Sequence, residues 1–416
     1  MLQGRGSQDV GRPRRLSLLV HLSCAAVASS SNSKRKPVAY IHIGHWKVAS
    51  TSIQSYVCDK SHLLADEYNL ALLMPEKCWT SHYCRDYGLA FARRISSCGD
   101  CSPIPNDKME SGWGRRAPLC HADDGGAVPE ARQAAADALA AGRDVFFSSE
   151  YFEVWNPRNI AYLQDVLKGF ELRILLMLRH PLTWMVSGYA QRWKKGRTHE
   201  VLSEVVENAK ESQGQAAGFM NRTIQTIVEP LPFFIDALGA DKVFVGSLDG
   251  MIQAGMAPAI AVLQAFCGRN TSALISPGHP HNASPSPFAM EMVEFIRRFA
   301  AKRGEDLGIP RWPQSNQEEF VQDLQKLADV LGAKIWECHD YVDDFVPTEL
   351  ELTRAVKKTG ATRLFFDEDA LESDAPYFHM RTTEVCHGAF EALFEDKAKS
   401  QELLVELKKF KDKWEK

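Results

Sequence analysis

Short, continuously apolar stretches recur along the chain and predict buried β-strands. They lie within residues 38–43, 144–150, 172–178 and 239–248. Runs of this kind, apolar throughout rather than alternating with polar residues and separated by helical patterns, are typical of parallel strands that helices cover on both faces. The pattern therefore predicts a three-layer α/β/α domain with a central, mainly parallel sheet, over residues 37–300.

Amphipathic and alanine-rich stretches predict the helices between and after these strands. They comprise residues 50–59, 130–141, 158–170, 315–332 and 384–414. The second of them should end at Gly142, since glycine commonly terminates helices. Residues 345–371 allow one more strand. We interpret residues 301–416 as a mostly helical C-terminal extension of the same domain.

Composition and charge narrow the class of protein without identifying its function. The chain has 416 residues, of which 45% are hydrophobic and 25% are charged, as in ordinary globular proteins. Its formal net charge is −4, so basic residues are not in excess, and this argues against nucleic acid as a partner. Nowhere does the chain contain the uninterrupted apolar run of about 18 residues that a membrane helix needs, so no stable membrane span is evident.

Residues 1–36 have the pattern of a targeting segment rather than of a folded element. Arg12, Arg14 and Arg15 precede a short apolar run, residues 16–28, which ends in small residues. This order is typical of a secretory signal peptide and predicts the secretory pathway, with the Golgi lumen as the destination and secretion as an alternative. The Ser- and Arg-rich, acid-poor composition also fits a transit peptide, so an organelle (plastid) lumen is the alternative.

Cysteines and glycosylation sequons are compatible with an oxidising environment. Residues 75–128 form a Gly/Pro-punctuated, cysteine-rich insertion for which we predict disulfides. Its cysteines are Cys78, Cys84, Cys98, Cys101 and Cys120. A zinc site that uses Cys98, Cys101, Cys120 and His121 is the alternative, but one C-x-x-C pair is weak support for it. Sequons begin at Asn221, Asn270 and Asn282.

The segment after the first predicted strand contains a tight turn at Gly44 and the start of a helix near Ser50. The first N–H groups of a helix have no partner within it and its dipole favours negative charge, so such a helix start can bind an anion. Lys47 adds a cation, and the hydroxyls of Thr51 and Ser52 join that of Ser50 as donors. The sequence therefore predicts a phosphate or sulfate cradle. An ordinary helix with a Ser/Thr N-terminal cap is the alternative.

This cradle fits a nucleoside-triphosphate loop poorly. Aligned on Gly44, the pattern G-x-x-x-x-G-K-[ST] places Ala49 at its second glycine and Ser50 at its lysine. The lysine of this chain, Lys47, lies instead in the middle of the loop. A P-loop kinase or NTPase, which would bind ATP with magnesium, is therefore the second hypothesis.

Polar residues also follow the next two predicted strands. Ser148, Ser149 and Glu150 end one strand, and Arg179 with His180 follows the other. Ligands of parallel α/β sheets bind outside the carboxyl ends of the strands, so we expect these side chains to share a crevice with the cradle. Arginine suits a phosphate because its planar guanidinium makes paired hydrogen bonds, whereas a triphosphatase usually carries an aspartate there to hold magnesium.

Two segments resemble sulfotransferases that use 3′-phosphoadenosine-5′-phosphosulfate (PAPS). Residues 47–51 match their loop core K-x-[GA]-[ST]-[ST], and Arg179 followed by Ser187 resembles their second signature. The resemblance implies a P-loop NTPase-like sulfotransferase fold in which Arg179 and Ser187 bind the 3′-phosphate. The residues that it implies for the 5′-phosphosulfate are Gly44, His45, Trp46, Lys47, Val48, Ala49, Ser50, Thr51 and Ser52.

The resemblance also implies the chemistry, an in-line sulfuryl transfer from PAPS to a hydroxyl acceptor. Lys47 is assigned to the charge that develops on the leaving phosphate. Glu150 is the first candidate for the general base because it ends a buried strand, and His45 is the second. PAPS is the co-substrate, and no metal is expected.

The acceptor follows less directly from the sequence. A sugar hydroxyl of a glycan or glycoconjugate is predicted, since the leader and the cysteine-rich insertion indicate the secretory pathway; a small alcohol or phenol is the alternative. A PAPS- or glycan-binding relative without catalysis is a third hypothesis.

Overall fold

The structure is a computed structural model of the chain. It describes residues 35–44, 48–74, 91–92, 127–149, 157–194, 202–211, 230–272, 274, 287–304, 316–331, 336–341, 343–366, 384–388 and 396–414. Helices and strands are numbered in chain order within these ranges.

A parallel sheet forms the centre of the molecule. The strands are β1 Val38–Gly44, β2 Leu70–Leu72, β3 Asp144–Ser149, β4 Glu171–Leu178, β5 Val243–Ser247, β6 Trp336–Asp340, β7 Thr362–Leu364 and β8 Glu384–Gly388. Six of them form one sheet in the order β2-β3-β1-β4-β5-β7, and every neighbouring pair is parallel. The predicted α/β fold class with a central parallel sheet is therefore confirmed.

The helices predicted over residues 50–59, 130–141, 158–170 and 315–332 are present, with shifts of up to four residues at their ends, and the structure adds helices whose bounds the sequence pattern did not predict. In chain order, the helices are α1 Ser50–Asp59, α2 Ser61–Glu67, α3 Ala127–Ala140, α4 Pro157–Val166, α5 Pro181–Lys194, α6 Leu202–Glu211, α7 Pro230–Leu238, α8 Leu248–Gln253, α9 Pro258–Ala261, α10 Pro287–Arg303, α11 Gln317–Leu331, α12 Val346–Thr359 and α13 Lys397–Trp414. The helix predicted over residues 130–141 begins three residues earlier, at Ala127.

The helices cover both faces of the sheet. The connection from β1 to β2 runs towards one end of the strand order, and the connection from β3 to β4 runs towards the opposite end. Because such crossovers are right-handed, α1 and α4 lie on opposite faces. Helix α1 packs with α9, while α7 packs with α4 and α12 on the other face. The predicted three layers are thus present.

Strand β1 is the centre of the sheet, and its position aligns the ends of its neighbours. All of its residues are buried, and it lies between β3 and β4. Ile43 pairs with Ser149 of β3, and Gly44 pairs with Met177 of β4. The carboxyl ends of the three strands therefore meet at one edge, where parallel sheets bind ligands.

A second hydrophobic cluster lies outside the sheet. It is built mainly from α5, α6, α10, α11 and α13, and its buried members include Tyr189, Phe299, Phe320 and Leu403. Helix α5, which follows β4, contributes Leu182 and neighbouring residues to it. The helix that leaves the candidate ligand edge of the sheet is thus anchored in a separate core.

Two parts of the C-terminal third differ from a purely helical interpretation. Residues 384–414 were expected to be helical throughout, but Glu384–Gly388 is a strand that pairs antiparallel with β6. Pairing with a distant strand overrides the helical pattern there, since strand formation depends strongly on tertiary context. The further strand allowed within residues 345–371 is present as β7, at the edge of the central sheet beside β5.

Candidate anion-binding site

Several predicted site residues lie outside the described residues. These are His45, Trp46, Lys47 and Glu150. The same holds for the insertion cysteines, for His121 and for the sequons at Asn221 and Asn282. Their assignments stay predictions. Asn270, the third sequon, is described and exposed.

Gly44 ends β1 where three other residues come close to its backbone. A Cβ atom at this position would lie 3.2 Å from Ser50 Cβ, 3.4 Å from His42 Cε1 and 3.5 Å from Val48 Cγ2. The distance to Ser50 is tighter than usual, so a side chain at position 44 would require Ser50 to move by a few tenths of an ångström, whereas the other two distances are ordinary van der Waals contacts. Glycine therefore lets the start of α1 fold back against the end of β1, which makes the turn tight.

Ala49 sets the backbone geometry of the turn at the start of α1. It is the N-cap residue of α1 and adopts a left-handed conformation, with φ 64° and ψ 14°. A left-handed residue next to helical ones directs successive backbone N–H groups into one concavity, the arrangement known as a nest. Because alanine has no polar side-chain atom, it cannot cap these N–H groups. The alternative of an ordinary Ser/Thr N-cap is therefore wrong.

The hydroxyls at the start of α1 differ in accessibility. Ser50 is 2% exposed, whereas Thr51 and Ser52 are half-buried. Thr51 and Ser52 are therefore the more accessible hydroxyl donors near the helix N-terminus. Val48, between the turn and the helix, is buried in the main hydrophobic core and anchors the turn to it.

Arg179 follows β4 directly and is half-buried at the same edge of the sheet. Burial lowers the pKa of its guanidinium, and the nearby carboxylate of Asp249 opposes that shift. The group stays cationic, since an arginine cannot be deprotonated under ordinary conditions. Asp249 lies just after β5, so its carboxylate and the Arg179 guanidinium come from the ends of neighbouring strands.

The start of α5 is capped by protein groups. The backbone N–H of His180 donates to Asp249 Oδ2 at 2.6 Å, and the N–H of Leu182 donates to His180 Nδ1 at 3.2 Å. His180 thus has the structural role of an N-cap. An anion at this place would therefore be bound by the Arg179 side chain rather than by the amides that Asp249 and His180 already occupy.

Ser187, the predicted partner of Arg179, lies on the second turn of α5 and is 8% exposed. Arg179 and Ser187 are thus on consecutive elements, one at the end of β4 and the other on the helix that follows. Their joint contact with a phosphate stays a prediction.

Two buried polar residues at this edge were missed by the sequence interpretation, His42 and Gln54. The Nδ1 atom of His42 is 2.7 Å from Ser148 Oγ, and Gln54 Nε2 donates to the backbone oxygen of Ser148 at 3.1 Å. Polar side chains within an apolar strand and on the buried side of a helix were the available signal. Among the described residues, no group of three or more His, Cys, Asp or Glu side chains could hold a metal ion.

Helices in the described ranges include none that is long and apolar enough to cross a membrane.

Among known proteins, the chain shows a weak similarity to one solved structure. No protein-family model matches the chain, and no curated protein matches it. A crystal structure of a sulfotransferase from Alicyclobacillus acidocaldarius is similar over 65% of this chain and 96% of that chain, with 14% sequence identity and a TM-score of 0.30. Values this low do not establish a common family.

Proposed function

We propose that the chain is a PAPS-dependent sulfotransferase that transfers a sulfuryl group to a hydroxyl acceptor. The observation that carries the proposal is the turn after β1, where Gly44 allows close packing and the left-handed Ala49 opens a nest at the start of α1. Arg179 lies at the end of the adjacent strand β4. A ligand with two anionic groups suits this pair of sites.

The two anion sites have different chemical character, which supports different roles. The nest offers backbone N–H groups and the hydroxyls of Thr51 and Ser52, which together can surround a tetrahedral phosphosulfate. Arg179 offers a planar cation that suits the doubly charged 3′-phosphate. Neighbouring parallel strands lie about 4.8 Å apart, so one nucleotide can span both sites.

The reacting groups are assigned from the sequence. Lys47 would stabilise charge on the phosphate that leaves sulfur, and Glu150 would accept the proton of the acceptor hydroxyl. Glu150 directly follows Ser149, which pairs with Ile43 beside the turn. His45 is the alternative base. Separate Glu150→Gln and His45→Gln variants, assayed for transfer of labelled sulfate from PAPS, would distinguish the two.

The acceptor that we propose is a sugar hydroxyl of a glycan or glycoconjugate in the secretory pathway. The proposal rests on the leader and the cysteine-rich insertion of the sequence. A panel of glycans and small phenols, incubated with labelled PAPS, tests it directly. Transfer only to phenols would exclude a carbohydrate acceptor, and PAPS binding without transfer to any of them would favour the non-catalytic alternative.

The decisive experiment is a calorimetric titration with 3′-phosphoadenosine-5′-phosphate (PAP), the desulfated product, without magnesium. We expect PAP to bind, and Arg179→Ala to weaken binding by about 10- to 100-fold because a charge-assisted contact is lost. Arg173→Ala is the matched control, since Arg173 lies on the same strand and pairs with Glu171 at 2.8 Å. It should bind PAP as the wild type does.

ATP with magnesium is the competing ligand in the same titration. A P-loop kinase or NTPase would prefer ATP with magnesium over PAP. That preference, or the absence of any PAP binding, would contradict the sulfotransferase proposal.

A further inference from the structure

A histidine lies within the central strand of the sheet, directly below the candidate site. His42 is on β1, two residues before Gly44, and its relative exposure is 0%. Burial lowers the pKa of its imidazole to about 3, so the ring is neutral near neutral pH. A buried polar ring is unfavourable unless its nitrogens find hydrogen-bond partners, so both nitrogens need an explanation.

One nitrogen of His42 is explained by contacts within the protein. Its Nδ1 atom is 2.7 Å from Ser148 Oγ on β3, and the backbone oxygen of Ser148 accepts from Gln54 Nε2 of α1 at 3.1 Å. Ser148 and Gln54 are each 7% exposed. The three residues thus connect β1, β3 and α1 at the carboxyl edge of the sheet and fix the orientation of the ring.

The other nitrogen has no such explanation. Nε2 of His42 is buried and has no hydrogen-bond partner in the part of the chain that the structure describes. Buried polar atoms are rarely left unpaired, and the exceptions are often functional.

The ring lies beside the base of the cradle. Its Cε1 atom, which is bonded to Nε2, is 3.4 Å from the position of a Cβ atom on Gly44, and Ser50 Cβ is 3.2 Å from that same position. Cε1 is bonded to both ring nitrogens, so Nε2 is one bond away from an atom that contacts the turn before α1.

We propose that His42 is a further anion-binding residue of the cradle, whose Nε2–H donates to an oxygen of the bound phosphosulfate. The Ser148 hydroxyl donates to Nδ1 and thereby keeps the proton on Nε2. The neutral ring adds a donor without adding charge, and its unpaired nitrogen gains its partner when the anion binds. Only the identity of the anion rests on the proposed function.

Two substitutions separate the nitrogens of His42. The amide nitrogen of a glutamine can take the approximate position of Nε2, whereas that of an asparagine corresponds to Nδ1. We expect His42→Asn to weaken PAP binding by about tenfold or more and His42→Gln to retain most of the wild-type affinity. Urea unfolding of both variants shows whether each is folded before its affinity is compared.

A spectroscopic measurement on the wild type avoids any dependence on folding of the variants. In a protein with ¹⁵N-labelled histidines, the free form should show His42 with its proton on Nε2, and PAP should shift that resonance more than Nδ1. Ser148→Ala should allow the other tautomer in the free protein. The exposed His62 provides the internal control, because its resonances should not respond to PAP.

The outcomes distinguish this inference from the proposed function. If PAP binds but leaves the Nε2 resonance unchanged, and both His42 variants bind PAP equally, the role of His42 is wrong and the sulfotransferase proposal is unaffected. If PAP does not bind, the proposed function is wrong, and inorganic sulfate becomes the probe. An Nε2 shift with sulfate would then support an anion-binding role for His42, and no shift would overturn it.

Discussion

Ala49 adopts a backbone conformation that costs an alanine about 1 kcal/mol, whereas a glycine adopts it without strain. The strain occurs where the candidate site needs consecutive N–H groups to converge, and strained residues often cluster at functional sites. The sequence identified the residue as part of a loop, since Ala49 occupies the second glycine position of a phosphate-loop pattern. It did not identify the residue as the N-cap, because the sign of φ depends on how the turn packs against β1.

Ala49→Gly should therefore raise the free energy of unfolding by up to about 1 kcal/mol and preserve PAP binding, because the nest geometry is retained. Ala49→Val should lower both stability and affinity, since a β-branched residue is strongly disfavoured at positive φ. Urea unfolding and calorimetry measure the two effects. Ala136→Gly, at an exposed position inside α3, is the control and should destabilise by about 1 kcal/mol. A loss of stability in Ala49→Gly similar to that in Ala136→Gly would contradict the strained conformation.

Among the elements, β1 is held at its amino end by a buried carboxylate. At its amino end, the N–H of Val38 donates to Asp144 Oδ1 at 2.7 Å, and the other carboxylate oxygen pairs with Arg269. The side chain of Asp144 is 2% exposed and that of Arg269 is 16% exposed. This ion pair joins β1, β3 and the segment after α9, at the edge of the sheet opposite the candidate site.

Removing this carboxylate should affect stability without affecting the site. We expect Asp144→Ala to cost about 3 kcal/mol of unfolding free energy, because it leaves the partly buried Arg269 without its counter-charge. The folded fraction should bind PAP normally. Asp165→Ala is the control, since its pair with Arg132 is exposed and should contribute no measurable stability. Reduced PAP affinity in folded Asp144→Ala would instead show that the two edges of the sheet are coupled.

The strands that the sequence predicted differ from those that it did not predict in how clearly their local pattern shows. β1, β3, β4 and β5 are five to eight residues long and apolar in their middles, so their pattern is visible locally. β2 has three residues and was not predicted, and β8 lies in a stretch expected to be helical. These segments become strands because a neighbouring strand provides hydrogen-bond partners, which the local sequence does not reveal.

At the scale of the whole molecule, the buried side chains of His42 and Glu291 make the free energy of unfolding depend on pH in opposite directions. The pKa of His42 is lowered to about 3, so below its ordinary value of 6.5 the unfolded chain takes up a proton first and stability falls as the pH falls. The pKa of Glu291 is raised by burial to about 7, despite the N–H of Ser203 that donates to it. The folded state holds that proton between pH 4.5 and 7, so stability declines as the pH rises through this window.

Glu291→Gln should remove the second of these dependences. The variant should gain stability over the wild type as the pH rises from about 4.5 to 8, approaching about 3 kcal/mol, because glutamine accepts the Ser203 hydrogen bond without becoming charged. Urea midpoints measured along a pH series test this. Glu351→Gln, at an exposed position on α12, is the control and should leave the pH profile unchanged. A profile of Glu291→Gln that parallels the wild type would show that Glu291 does not titrate in this range.

Features set by neighbouring residues were predictable, and features set by distant residues were not. The strand β1, the glycine turn and the start of α1 follow from one continuous stretch, because apolar runs, glycine and hydroxyl residues determine structure within a few positions. The pairing of His42 with Ser148 joins residues 106 positions apart, and that of His180 with Asp249 joins residues 69 apart. Such contacts, like the order of strands in the sheet, exist only once distant segments have packed together. The residues of the candidate cradle were therefore visible in the amino-acid order, whereas the buried side chains that pack beneath them, His42, Gln54 and Ser148, became visible as a group only in the folded chain.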